Sequence, residues 1–131
     1  SAVERARKML GNRGLTARLG VSEMSSIPHP DRSMDAVIDG AAIQHADPED
    51  LPRVFSEIHR ILKDDGRFFG MMIAGHHQLS AEDFPTHFFT KDEVVELLSN
   101  FQSLTIDHLE YTEDNSEKSI KFWLVEAQKH A

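Results

Sequence analysis

The stretch from Asp47 to Gly75, "DPEDLPRVFSEIHRILKDDGRFFGMMIAG", constrains the fold more than any other part of this sequence. Asp47 is suited to an N-cap and Pro48 to the first helical position, where no amide donor is missed. Glu49 and Asp50 add negative charge at the positive end of the helix dipole. Leu51, Val54, Phe55, Ile58 and Leu62 then recur at three- and four-residue steps, which places them on one helical face. The helix is expected to end at "LKDDG", with Gly66 in the left-handed conformation of a C-cap. "RFFGMMIAG" follows at once and is apolar almost throughout, as a strand covered on both faces would be. An amphipathic helix running directly into a buried strand requires a layered arrangement in which helix and sheet share a core.

The flanking segments extend the pattern. Residues 2 to 12 read as a helix that Gly14 terminates, and "ARLGVSE", residues 17 to 23, reads as a short strand. The loop "SSIPHPDRS", with Asp31 and Ser33 as turn formers, leads into a strand over Asp35 to Asp39 within "DAVIDGAAIQH". A second helix starts at Thr90, whose hydroxyl and Glu93 form a capping box, and carries Val94, Leu97, Leu98 and Phe101 as its apolar stripe. "LTIDHLEY" and "SIKFWLVEA", joined by the polar "TEDNSEK", read as an antiparallel pair. The order helix, strand, strand, helix, strand, helix, strand, strand predicts an α/β fold. Its sheet is expected to be mostly parallel with a carboxyl-terminal antiparallel hairpin. Without repeats or a linker, residues 1 to 131 are expected to form one domain.

Charge and composition narrow the function. Against 14 Lys and Arg stand 22 Asp and Glu, a formal net charge of −8, which argues against nucleic acid as a partner. Arg5, Arg7, Lys8 and Arg13 cluster near the start but alternate with Val3, Ala6 and Leu10, as on the solvated face of an amphipathic helix. No apolar run approaches the ~20 residues that cross a bilayer, so no membrane partner is expected. "SAVERARKML" lacks the apolar centre of a secretory leader, and the chain has no cysteine. Both fit a cytoplasmic location.

The run from "SSIPHPDRSMDAVIDGAAIQH" through "ILKDDGRFFGMMI" resembles the class I S-adenosylmethionine-dependent methyltransferases, in particular their small-molecule family. It matches that family's "LPFPD.SFD" loop, fourth strand, "LHH" segment, helix and "LKPGG" turn into the fifth strand. "HFFTKDEVVELLSNF" is similar to the helix before the family's final hairpin. Departures are His29 and Met34 in the loop, Gln44 in place of the first histidine, and Asp65 in place of a turn glycine. The resemblance implies a partial Rossmann-like methyltransferase fold with its first two strands missing. The Gly-rich cofactor loop after the first strand and the ribose-binding acid after the second have no counterpart in this sequence. The family's strand order would place the missing pair between two strands that are present, exposing backbone donors and acceptors on both. The sequence is therefore expected to be the carboxyl-terminal portion of a longer enzyme. The alternatives are a rearranged sheet or a homodimer that completes it.

The same resemblance implies S-adenosyl-L-methionine as cofactor and a small-molecule substrate. It places Glu23 where an acid reads the adenine amino group, Met24 against the adenine, and Asp39, Gly40 and Ala41 beside the sulfonium and methyl group. His45, with the pair His76 and His77, supplies candidate bases or substrate-lining groups, since histidine titrates near neutral pH. Each has a plainer reading. Glu23 could be an exposed loop acid, Asp39 a cap for the following turn, His45 a hydrogen-bonding group at the helix entry, and His76 and His77 pocket-lining loop residues. Phe84, Phe88 and Phe89 could form a substrate lid or simply pack. The histidines, with Glu82 and Asp83, show no metal-ligand spacing, and no metal is expected. The competing functional class is a non-catalytic, degenerate methyltransferase domain that serves as a binding or oligomerisation module.

Overall fold

The Asp47 carboxylate accepts from the amide of Glu49 (3.1 Å) and opens a 3-10 turn, Pro48–Asp50, that runs into helix α2, Leu51–Ile61. The start is as the acidic, proline-bearing sequence predicts. Leu51, Val54, Phe55, Ile58 and Ile61 are buried along one face. In this computed structural model the described residues are 1–76, 86–112 and 119–131. Besides α2 they form helix α1 (Ala2–Asn12), strand β1 (Met34–Gly40), strand β2 (Leu62–His76), helix α3 (Lys91–Leu97), strand β3 (Ser103–Thr112) and strand β4 (Ser119–Gln128).

The four strands form one sheet in the order β1-β2-β4-β3. β1 and β2 run parallel, with Val37 opposite Phe68 and Asp39 opposite Gly70, so α2 is the crossover between them. β2 pairs antiparallel with β4, and β4 with β3 in unbroken register from Ser103↔Gln128 to Thr112↔Ser119. The carboxyl-terminal hairpin thus inserts its second strand beside β2. The parallel part is a single pair. The strand expected over residues 17 to 23 does not form: this segment has no regular structure. A short strand is held only by its ladder, and among the described residues nothing pairs with the outer edge of β1 or closes the gap by a rearranged sheet.

α2 and α3 cover one face of the sheet. Phe68 of β2 is fully buried there, meets Phe55 edge-on at 5.8 Å between ring centroids, and lies over Gly70. A Cβ on Gly70 would come within 2.7 Å of that ring, so the position requires glycine. Val94, Leu98 and Phe101 close the core from α3 and its following turn. The other face is largely open. Ile38 is 78% exposed and Phe69 38%, which corrects the expectation that "RFFGMMIAG" is covered on both sides. Among the described residues, Met71 and Ile73 join a small cluster on that side with Ile120, Phe122, Phe88 and Ala41.

Two helix ends differ in how they are closed. α1 ends in a Schellman arrangement: Gly14 (φ +67°) donates to the Gly11 carbonyl and Leu15 to that of Leu10. α2 has no such glycine. Its helical conformation stops at Ile61, Leu62 is the first, fully buried residue of β2, and Asp65 rather than Gly66 takes a left-handed φ of +65°. Gly66 is needed instead for space, because a Cβ there would lie 2.7 Å from the Lys63 carbonyl oxygen. The carbonyls at the end of α2 are met from the far end of the chain. The buried Lys129 Nζ donates to the carbonyls of His59 and Leu62, both at 2.8 Å. A cation is also the favourable charge at that end of the dipole. Thr90 caps α3 by accepting from the Glu93 amide (3.1 Å), but the Glu93 carboxylate reaches His87 Nε2 at 2.8 Å, a hydrogen bond outside the helix, so the expected capping box is not closed.

Lys129→Met keeps the buried stem but leaves two carbonyls without their charged donor. It is expected to lower the unfolding free energy by about 1.5–3 kcal/mol in urea denaturation. His59 packs edge-on against Phe101, and burial, reinforced by Lys129, depresses its pKa below the ordinary 6.5. Its stabilising contribution is therefore complete above pH 6.5 and is lost as pH falls from there toward the folded-state value. The melting temperature should drop on acidification through this window, and by less in His59→Phe.

Candidate functional site

The site expected from sequence lies where β1 ends. Asp39 is buried, and its carboxylate accepts from the amides of Ala42 (3.0 Å) and Ile43 (3.4 Å). These bonds wrap the chain into the short 3-10 turn Ile43–His45 directly after the strand. The sharpness of the turn falls on Ala41, at φ +65°, a conformation that costs a residue with a Cβ about 1–2 kcal/mol. Gly40 beside it is exposed, and no atom lies within 4 Å of where its Cβ would stand. Asp39 thus caps the turn. Burial pushes its carboxyl above the ordinary 3.8, against the opposing pull of the Ala42 and Ile43 amides and of His45.

Gln44, which stands in the place of a histidine, is a buried connector. Its Oε1 accepts from the Ile73 amide (3.3 Å) and its carbonyl accepts from the His87 amide (2.8 Å). One side chain and its own backbone therefore tie the tip of β1 to β2 and to the segment after it. Sequence reasoning missed this role, and only the apolar setting of a lone amide hinted at it. His45 is exposed, with its Nδ1 3.5 Å from Oγ1 of the buried Thr86. His76 is the last residue of β2, opposite Ile120, rather than a loop residue. His77, Glu82, Asp83 and Phe84 lie outside the described residues. Phe89 is core, its carbonyl accepting from Trp123 Nε1 (2.8 Å), and Phe88 belongs to the small second cluster.

Glu23 and Met24 precede a turn in which the Ser26 amide donates to the Glu23 carbonyl (3.1 Å). Glu23 is exposed, while Met24 is half-buried against the core. A cavity of about 170 Å³, bounded by Met24, Ile27, Ile38, Asp39, Ile43 and Val54, joins Met24 to the tip of β1. An adjoining cleft of about 290 Å³ runs past Glu23, Ala46 and Asp50. On the open face of the sheet, Asp39 and Gly40 also border a depression of about 350 Å³ floored by Phe69, Gly70 and Met71. The fold thus brings Met24, Asp39 and Gly40 to one end of the sheet, with Glu23 at the rim. His45 stands beside Thr86 on the segment that follows β2, and His76 is the last residue of β2 itself. Among the described residues no group of three or more acids and histidines could hold a metal ion, and no helix is long and apolar enough to cross a membrane.

A family profile described as "Methyltransferase domain" matches residues 1–70, more than half of the chain. The chain belongs to this methyltransferase family. The family's methyl donor is S-adenosylmethionine, and solved methyltransferase structures share the fold. An S-adenosylmethionine-dependent methyltransferase from Methanosarcina mazei superposes with a TM-score of 0.69 at 20% identity, covering 98% of this chain and 77% of that one. The PH0226 protein of Pyrococcus horikoshii gives a TM-score of 0.69 at 20% identity, over 97% of this chain and 66% of the other. A phosphoethanolamine N-methyltransferase from Haemonchus contortus, solved with phosphomonomethylethanolamine and S-adenosylhomocysteine, gives 0.67 at 14% identity, over 83% and 36%. This methyltransferase domain therefore spans between about a third and three quarters of the length of these proteins. No curated protein sequence matches it.

Within the methyltransferase domain, Asp39→Ala should lower the unfolding free energy by about 1–2 kcal/mol at pH 7, since two turn amides lose their acceptor. Asp39→Asn, which keeps one acceptor oxygen, should lose less. Because the folded-state pKa of Asp39 is raised, the contribution tied to its protonated form is complete below pH 3.8 and is lost as pH rises through the folded value. The wild type should thus gain on Asp39→Asn as pH falls toward 3.8 in paired urea titrations.

Proposed function

We propose that this chain supplies the carboxyl-terminal half of a methyltransferase site that acts on a small molecule. The observation that carries the reading is the single cavity shared by Met24 and Asp39, the ends of two segments expected to border opposite parts of one cofactor. S-adenosylmethionine would bring a sulfonium-bound methyl group, whose transfer is an in-line displacement. The protein's task is then chiefly to orient. In this reading the Glu23 carboxylate accepts from the adenine amino group and Met24 lies against the ring. Gly40 and Ala41 leave the tip of β1 free of bulky side chains, so that its backbone approaches the sulfonium. His45, at the exposed mouth beside Thr86, takes a proton from an acceptor that carries one, and His76, at the end of β2, is a second candidate base.

The outer edge of β1 is where a further strand would add. Symmetric antiparallel pairing with a second copy about Val37 would set Asp35 opposite Asp39, like charges face to face. That weighs against a homodimer and favours a strand of different sequence.

Calorimetry with S-adenosylhomocysteine on this chain tests the reading. A saturable heat is expected, weakened about ten-fold or more in Glu23→Ala through loss of a charge-assisted hydrogen bond. Gly40→Ala, which meets nothing in the protein itself, should fold normally and bind less well. Silence at millimolar ligand would sink the proposal and favour a non-catalytic binding or oligomerisation module.

A further inference from the structure

The loop that carries the expected adenine edge is held by one arginine of α2. Arg60 Nη1 donates to the His29 carbonyl and to Asp31 Oδ1, both at 2.8 Å. Its Nη2 donates to the Ile27 carbonyl and to Glu57 Oε2, also at 2.8 Å, and its Nε to Glu57 Oε1 at 2.9 Å. All five guanidinium donors are therefore engaged. Glu57 completes the device by accepting the Ile27 amide at 2.9 Å, and the Arg60 fork together with that amide holds its carboxyl below the usual range. Two of the accepting carbonyls, those of Ile27 and His29, each precede a proline, Pro28 and Pro30. Neither proline has an amide to enter a ladder, so this loop cannot be held as a strand would be, and the guanidinium takes up carbonyls that a neighbouring strand would otherwise serve. Further on, the amides of Arg32 and Ser33 donate to the carbonyls of Arg60 and Ile61, which seats the loop along the end of α2.

The clamped stretch begins at Ile27, three residues after Met24, and both residues pack on the core and wall the same cavity. We propose that Arg60, braced by Glu57, is the positioning residue for the cofactor end of the site: by clamping Ile27 to Asp31 onto α2 it fixes Met24 and the reading edge at Glu23. The cofactor part of this inference rests on the reading given under Proposed function, whereas the clamp itself does not. Neither Arg60 nor Glu57 lines the Met24–Asp39 cavity, so the effect on ligand passes through the loop. Lysine cannot substitute, because a single ammonium cannot present a planar fork to two carbonyls and two carboxylates at once.

Arg60→Lys and Arg60→Ala, each compared with the wild type, test the clamp through amide hydrogen exchange and the methyl resonance of Met24. The Ile27 amide is expected to exchange at least about ten-fold faster in both variants, with the Met24 methyl signal displaced. The amides of Phe68 and Val125 in the sheet should keep their protection. An unchanged Ile27 amide and Met24 methyl in Arg60→Lys would overturn the clamp. So would an equal loss of protection in loop and sheet, which would mark a general stabilising role. Titration with S-adenosylhomocysteine separates the two layers: affinity should fall about ten-fold in Arg60→Lys. A wild-type Met24 methyl that does not respond to ligand would refute the adenine assignment while the exchange data still decide the clamp.

Discussion

The seating of α2 on β2 is the contact from which the rest of this domain is arranged. Phe55 meets Phe68 edge-on, Phe68 lies over Gly70, and the chain passes from helix to strand with no intervening loop. Because helix and strand are continuous, the direction of β2 is set by the helix face, and β1 can lie beside it only in parallel. The end of the helix must then be satisfied where the chain turns at once into a strand. Lys129, arriving with the last strand, meets those carbonyls, so the order of the hairpin and the termination of the helix are one problem with one solution.

The site inherits its geometry from this arrangement. A parallel β1 ends on the same side as β2, and the turn after it is closed by Asp39 and anchored to β2 by Gln44. The loop before β1 reaches the same end because Arg60 projects from the helix that follows it. The tip of β1 and the loop before it are thus each tied down by a group remote in sequence, Ile73 through Gln44 and Arg60. The strained Ala41 is tolerated because Asp39 and Gln44 hold both sides of the turn.

One face of the sheet and one edge of β1 lack cover from the described residues, and this bears directly on function. Ile38 and Phe69 present apolar surface, and Gly40 presents a backbone with open space around it. Met24 and the tip of β1 at Asp39 border one cavity at this end of the sheet. The Gly-rich loop and the ribose-binding acid that the family resemblance implies have no counterpart in the sequence.

Much of this was legible in the sequence by itself. The caps at Asp47 and Thr90, the helical stripe from Leu51 to Ile58, the strand over Arg67 to Gly75 and the final antiparallel pair are written in local periodicity and local hydrogen bonds, which need no knowledge of distant residues. The family resemblance was carried by the order of these elements. Tertiary structure decided what depends on partners far along the chain. Residues 17 to 23 have strand-like composition but no ladder to join, and the apolar face of β2 is open because nothing described lies above it. Asp65, rather than Gly66, takes the left-handed turn, and Gly66 serves instead where a Cβ would meet the Lys63 carbonyl. Lys129 caps a helix 67 to 70 residues away, and Arg60 gathers a loop about 30 residues before it. Local order is set by short-range sterics and capping, whereas burial, edges and clamps are set by which surfaces meet, and that is fixed only when the whole chain has packed.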